Sequence, residues 1–290
     1  MESKSFLHSI LNFYLQPKVT TENKFNLKFI LHGISLAGFM SIFSIILIQI
    51  IVSSSDMEIN NSVQDLIFSD ISIWQILILI SILAPLLEEI FFRLPLSTNK
   101  EIWSIWLIVL PILTYYFFRF ESILAWIIIS IIIIASFIFL IIPNQETFLK
   151  RYHIIYPYLI YLSALIFGLI HLGNYQGLEL SGVSLAFVLP QISVGFVLVF
   201  IRVRLGFWMS VFFHFVWNTA ISLFLIILFP IFKNFTMEEL ETLTPENLSP
   251  DLQMRFLASG GLVLFYFLFI VAGIVWIIVD YIKYKDDKNN

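Results

Sequence analysis

The sequence predicts an all-α protein: a polytopic integral membrane helix bundle of about eight transmembrane helices, with both termini cytoplasmic. Three observations carry that reading. The 290 residues are 59% hydrophobic and 12% charged, with a mean hydropathy of +0.94, whereas a soluble domain carries about a quarter charged residues. The apolar residues fall in long unbroken runs rather than in alternating strand-length segments, which selects spanning helices over a barrel. Lys and Arg gather in alternate connections between those runs, as a membrane orientation requires.

Taken in order, residues 1–28 are mixed polar and aromatic and read as a cytoplasmic or interfacial segment. A short helix is expected there from Phe6 to Leu15, ended by Pro17. Eight spans follow at about 29–52, 72–96, 102–118, 122–142, 155–173, 183–201, 207–229 and 262–282. They form one transmembrane domain, 29–283, with a cytoplasmic tail at 284–290. The third run is short and holds Pro111, and Ile131 to Ile134 reads as lipid-facing. The connection at about 230–261 is acidic and extracytoplasmic in this scheme. Thr236 with Glu239 reads as a capping box there, and Thr244-Pro245 as a cap followed by proline at the first helical position, so short surface helices are expected.

Orientation follows from the basic residues. One side carries Lys4, Lys18, Lys24, Lys28, Lys100, Lys150, Arg151, Arg202, Arg204, Lys283, Lys285 and Lys288; the other carries Arg119, Lys233 and Arg255. The richer side is assigned to the cytoplasm. The loop 53–70 holds Asp56, Glu58, Asp65 and Asp70 but no Lys or Arg, in agreement. Other classes drop out. The chain has no cysteine, which removes disulfides, thiol catalysis and thiolate metal sites. Basic residues are scattered at span ends rather than gathered on one face, which argues against nucleic acid as a partner. The first long apolar run starts near Phe29 without a small-residue cleavage site, so a cleavable signal peptide is not expected. The partners expected are membrane lipid and a membrane-associated peptide or protein.

Against this apolar background, Pro85 to Arg93 places two carboxylates and a guanidinium inside a span. A charge at membrane depth costs a few kcal/mol and persists when paired or needed. Glu89 and Arg93 are spaced i,i+4 with the acid first, the better orientation for an ion pair. Glu88 lies about 100° round the helix and is left without that partner. His171 ends the fifth span, while His214 and Asn218, again i,i+4, share one face of the seventh. His32, Gln49, Gln75 and Gln191 are isolated and read as interhelical or interfacial hydrogen-bonding groups.

Several chemistries use these atoms. A carboxylate and an imidazole can activate water, while a second imidazole and an amide donate to a developing oxyanion, which together make a peptide-bond hydrolase. Glu88, His171 and His214 can instead ligate zinc, with ligands drawn from three helices because no His-Glu-x-x-His motif is present. A proton relay would favour acidic residues spread along a path. A buried network that only fixes helix packing would make the chain a non-catalytic immunity or assembly partner.

The residues Glu88, Glu89 and Arg93 (Glu-Glu-x-x-x-Arg), Phe167 and His171 (Phe-x-x-x-His), and His214 and Asn218 (His-x-x-x-Asn) come in that order on separate spans. That arrangement resembles the CPBP family: the CAAX-prenyl-protease-like, Abi and lysostaphin-resistance-protein-like membrane proteins. The resemblance covers about 75–225. It implies an intramembrane endopeptidase in which Glu88 and His171 activate the water and His214 with Asn218 stabilise the oxyanion. Glu89, Arg93 and Phe167 would play supporting parts. It implies membrane-associated substrates, prenylated or otherwise apolar, and the plasma membrane of a prokaryote is the expected location. The family has been described both as metal-dependent and as glutamate-dependent; the lack of a compact metal motif favours glutamate chemistry without a cofactor.

One spacing departs from the family. Glu88 and His171 are 83 residues apart, and the two extra apolar runs at 102–118 and 122–142 fill the gap. Depth along the helices adds a constraint. At about 1.5 Å per residue, Glu88 lies roughly 18 Å from Lys100 and His214 roughly 15 Å from Arg204, but His171 lies roughly 30 Å from Arg151. A span that begins near Pro157 would reduce the last figure to roughly 21 Å, leaving 147–156 interfacial and the site open to the cytoplasmic half.

Overall fold

The computed structural model describes residues 5–18, 27–53, 60–61, 71–118, 123–141, 144–176, 182–234 and 248–289. Among the described residues the eight apolar runs are helical, the sixth, 183–201, being divided between two helices at Val188. Helix α1 is Phe6–Leu15 and α2 is Leu27–Ser53. The second run is one continuous rod made of α3 (Ile73–Ile78), a π-turn (Leu79–Leu83), α4 (Ala84–Arg93) and a 3-10 turn (Leu94–Leu96). Then come α5 (Lys100–Phe118), α6 (Ile123–Ser136, continued by a π-turn, Phe137–Ile141) and α7 (Gln145–Ile170, continued by a 3-10 turn, His171–Asn174). The chain ends in α8 (Gly182–Phe187), α9 (Leu189–Leu205), α10 (Phe207–Asn234) and α11 (Pro250–Asn289). A two-residue antiparallel ladder joins β1 (Asn60–Asn61) to β2 (Tyr175–Gln176).

Four helical stretches among the described residues are long and apolar enough to cross a membrane: Leu27–Ile50, Ile73–Leu96, Gln145–Asn174 and Pro250–Asp287. Apart from the two-residue ladder and the connections, the described residues are helical, and the four long apolar stretches fit a membrane helix bundle. Ile131 and Ile134 are exposed on its surface, as expected for side chains that meet lipid. The expected signals at Thr236, Glu239, Thr244 and Pro245 lie outside the described residues.

Local chemistry explains where the helices begin and end. Ser5 accepts from the backbone of His8 at the start of α1, and Ser72 with Gln75 closes a capping box at the start of α3, which accounts for Gln75. Gly206, with φ 98°, ends α9 in a conformation that needs no Cβ, and α10 starts at the next residue. Two boundaries differ from the expected ones. The last helix starts at Pro250 rather than near 262, because Ser249 accepts from the Leu252 N–H and proline suits the first helical position. Helix α7 starts at Gln145, capped by Asn144, and runs unbroken through Pro157. Neighbouring helices in a membrane bundle make such an internal proline tolerable. The depth estimate that began this span near Pro157 is therefore corrected. Helix α7 is roughly 39 Å long, longer than a hydrocarbon core of about 30 Å, so its N-terminal turns need not lie within the bilayer.

Helix α9 is the centre of the bundle. Val194, Val197, Leu198, Val199, Phe200, Ile201 and Val203 are all buried, so it is covered on every side, as a helix apolar all round should be. It packs most extensively on α7 and α2, and α2 in turn on α11. Lys28, near the start of α2, pairs with Asp280, near the end of α11, at 2.6 Å, so these two helices run antiparallel. Helix α1 lies against the same end of the bundle, where the Tyr14 hydroxyl donates to the Phe196 carbonyl and Tyr161 donates to the Tyr14 carbonyl.

The crossing of α7 and α9 is set by two glycines. A Cβ on Gly168 would lie 2.1 Å from Ile192 Cγ1 and 2.9 Å from the Ile192 nitrogen, and one on Gly195 would lie 2.8 Å from the Ala164 carbonyl oxygen. Gly168→Ala should therefore push the helices apart at a cost of about 1–3 kcal/mol. A lowered apparent melting temperature in detergent, with no gain in secondary structure, is the expected outcome.

Candidate active site

The site begins with a backbone irregularity. In the π-turn each carbonyl bonds the N–H five residues on, as the Ala84 N–H does with the Leu79 oxygen. The fifth residue after Ile80 is Pro85, which has no N–H. The Ile80 carbonyl is satisfied from another helix: Asn218 Nδ2 on α10 donates to it at 2.9 Å. A π-turn inserts one residue, and one residue turns the helix by about 100°. With this insertion both Glu88 and Glu89 meet α10.

Glu89 and Arg93 are completely buried, with Arg93 Nε 3.6 Å from Glu89 Oε1, the ion pair that their spacing predicts. The Glu89 carboxylate has two further partners on α10: Ser210 Oγ donates to Oε2 at 2.5 Å, and His214 Nδ1 stands 3.1 Å from Oε1. The guanidinium lies 4.4 Å from the centre of the Phe167 ring and donates through Nη2 to the Gly195 carbonyl at 3.4 Å. Arg202 Nε in turn donates to the Arg93 carbonyl at the end of α4, at 3.0 Å. The ion pair thus ties α4 to α7, α9 and α10.

Glu88 has a partner after all. His214 Nε2 lies 3.5 Å from its Oε2, so His214 stands between the two carboxylates rather than acting with Asn218 alone. The i,i+4 argument could not see this, because the contact crosses two helices. His171, on the 3-10 turn after α7, bonds the Phe167 carbonyl through Nδ1 at 2.7 Å, which leaves Nε2 for other partners. The Phe167 ring stands beside both imidazoles, with centroids 5.0 Å from His171 and 5.6 Å from His214.

Glu88, Phe167, His171, His214 and Asn218 all line one cavity of about 1230 Å³, whose other walls include Ile45 and Ile48 of α2, Ala84 of α4, and Trp217 and Ile221 of α10. Glu89 and Arg93 sit behind it. The structure therefore brings all four of the expected catalytic residues to one space. Among the described residues no group of three His, Cys, Asp or Glu side chains is arranged to hold a metal ion, so the trio Glu88, His171 and His214 does not form such a cluster.

Sequence reasoning missed Ser210, Ser222 and Ser81. The first two had a readable signal: Ser210, His214, Asn218 and Ser222 repeat every four residues and form one polar stripe down α10. Ser222 donates to the Asn218 carbonyl at 2.7 Å and Ser81 to Ser222 at 3.2 Å. Gln191, read from the sequence as an isolated hydrogen-bonding group, lines the cavity. His32 is packed between the rings of Phe6 and Trp276, away from the cavity.

Two substitutions test this architecture. Arg93→Leu leaves Glu89 charged and uncompensated in the core, which should cost about 3–5 kcal/mol and lower the yield of folded protein. Asn218→Ala strips the Ile80 carbonyl of its donor and should cost about 1–3 kcal/mol, seen as a lower melting temperature. An amide engaged only with substrate would show no such loss.

The family model described as type II CAAX prenyl endopeptidase Rce1-like matches residues 70–220, just over half of the chain. That range contains all seven motif residues and ends just beyond Asn218. No curated protein and no solved structure matches. The matched family is one of CAAX endopeptidases, and the long apolar helices fit a protease embedded in the membrane. On this match the chain belongs to the type II CAAX prenyl endopeptidase Rce1-like family.

Proposed function

We propose that this protein hydrolyses a peptide bond in a membrane-associated peptide or protein, with Glu88 as the general base and no metal ion. The observation that carries the reading is the position of Glu88: a carboxylate whose Oε2 makes no hydrogen bond, only the 3.5 Å contact with His214 Nε2, on a cavity shared with His171, His214 and Asn218. In this reading Glu88 and His171 hold a water, and Glu88 takes its proton as the oxygen attacks the carbonyl carbon. With His214 as the imidazolium, its Nδ1–H held by Glu89, the carbonyl oxygen becomes an oxyanion that accepts from the His214 Nε2–H and from the second N–H of the Asn218 amide. The proton on Glu88 then passes to the departing amine, which restores the carboxylate and leaves an acid and an amine as products.

The ion pair supports this chemistry without touching substrate. Glu89 holds His214 by Nδ1 so that Nε2 faces the cavity. The apolar walls suit a prenylated or otherwise lipid-like substrate. We further place both termini in the cytoplasm, eight helices across the plasma membrane of a prokaryotic cell, and α5 with α6 as an added hairpin beside the shared core. The zinc-dependent version of the same hydrolysis, and a non-catalytic assembly role, are separated from this reading by one experiment.

Purified protein in detergent is incubated with a library of membrane-anchored peptides, wild type beside Glu88→Gln, each with and without a chelator. We expect wild-type cleavage that survives chelation and falls about 10²–10⁴-fold in the mutant. Loss on chelation with recovery on added zinc would instead make Glu88, His171 and His214 ligands. Full function of Glu88→Gln in cells would favour the assembly role.

A further inference from the structure

Two further polar residues line this cavity with one side-chain atom unpartnered, and neither belongs to the motifs. Gln191 is in the first turn of α9, with its side chain near Tyr175. The Tyr175 hydroxyl donates its one hydrogen to the Phe187 carbonyl at 3.4 Å. With that hydrogen committed, Tyr175 does not donate to Gln191 Oε1. Gln191 Oε1 is left buried and unpartnered on the cavity wall. An amide oxygen in that state is destabilising unless something donates to it.

Ser41 on α2 is the second. Its neighbours Ser35 and Ser44 donate to the carbonyls four residues back, at 3.0 and 2.8 Å, as a serine in an apolar helix commonly does. Ser41 Oγ makes no such bond, is buried, and lines the same cavity. One acceptor and one hydroxyl donor are thus held ready on a wall otherwise built largely from apolar side chains.

An extended peptide is the ligand that uses both. Its backbone carries an N–H and a C=O at nearly every residue, and those it buries against the wall need partners. We propose that Gln191 and Ser41 are substrate-binding residues: Gln191 Oε1 accepts from a backbone N–H beside the scissile bond, and Ser41 Oγ donates to a backbone carbonyl. The proposal rests on the endopeptidase reading for its substrate class, but not on the chemistry assigned to Glu88. It makes recognition depend on backbone geometry, so side-chain sequence close to the cut should matter less than the ability to lie extended.

The test is a backbone N-methyl scan of one peptide, each methyl removing a single N–H. Binding is read on Glu88→Gln protein, which needs no turnover, and cleavage on wild type. Gln191→Ala should raise the dissociation constant and KM roughly three- to tenfold with kcat little changed. One N-methyl position should weaken binding to the parent by a similar factor and have no further effect in Gln191→Ala. Ser41→Ala should weaken binding without lowering the melting temperature, because no bond within the protein is lost. Equal N-methyl penalties with and without Gln191 overturn the assignment alone, leaving the endopeptidase reading intact. Coupled binding without any cleavage supports the assignment and counts against the endopeptidase reading. Failure of both proteins to bind any peptide overturns both.

Discussion

The buried pairing of Glu89 with Arg93 is the constraint on which the rest of the arrangement depends. Two full charges in an apolar bundle have no water to fall back on, so every neighbour must either neutralise or solvate them. Ser210 and His214 do so for the carboxylate, and the Phe167 ring and the Gly195 carbonyl for the guanidinium. These partners come from α10, α7 and α9. Satisfying one ion pair therefore determines how four helices meet. The same demand puts His214 between two carboxylates, since an imidazole bound to Glu89 by one nitrogen has its other nitrogen directed at Glu88.

A second device works through the backbone. Pro85 removes an N–H, and the π-turn shifts the register of everything after it. The carbonyl left over at Ile80 is met by Asn218. One amide thus joins the shape of the glutamate-bearing helix to the face of α10 that carries His214. Small residues complete the geometry: Gly168 and Gly195 let α7 and α9 approach closely enough for Phe167 to cover Arg93. Membrane helices gain little from expelling water between them, so close contact and internal hydrogen bonds carry the association.

The order of motifs and the apolar runs were legible because they depend on properties of neighbouring residues. Helix α1 at Phe6–Leu15, the Glu89–Arg93 pair and the shared face of His214 and Asn218 all follow from spacing of a few residues. Boundaries were less legible. Pro157 looks like a break in the chain but lies inside a helix, and Ser249-Pro250 starts the last helix earlier than hydropathy suggests. In each case packing or a local cap outweighs an average over a window. Gln191 reads as an isolated polar residue because its meaning comes from Tyr175 and the cavity, both distant from its own helix face.

The sequence by itself therefore determined the fold class, the motif residues and the first ion pair, since composition and i,i+4 periodicity are properties of one helix at a time. Only the tertiary structure decided that Glu88 faces His214, that Asn218 is also bound to Ile80, and that Ser41 and Gln191 open onto the same space. Those are relations between helices 100 or more residues apart in the chain, governed by how buried charges and orphaned backbone groups find partners, and no local pattern encodes them.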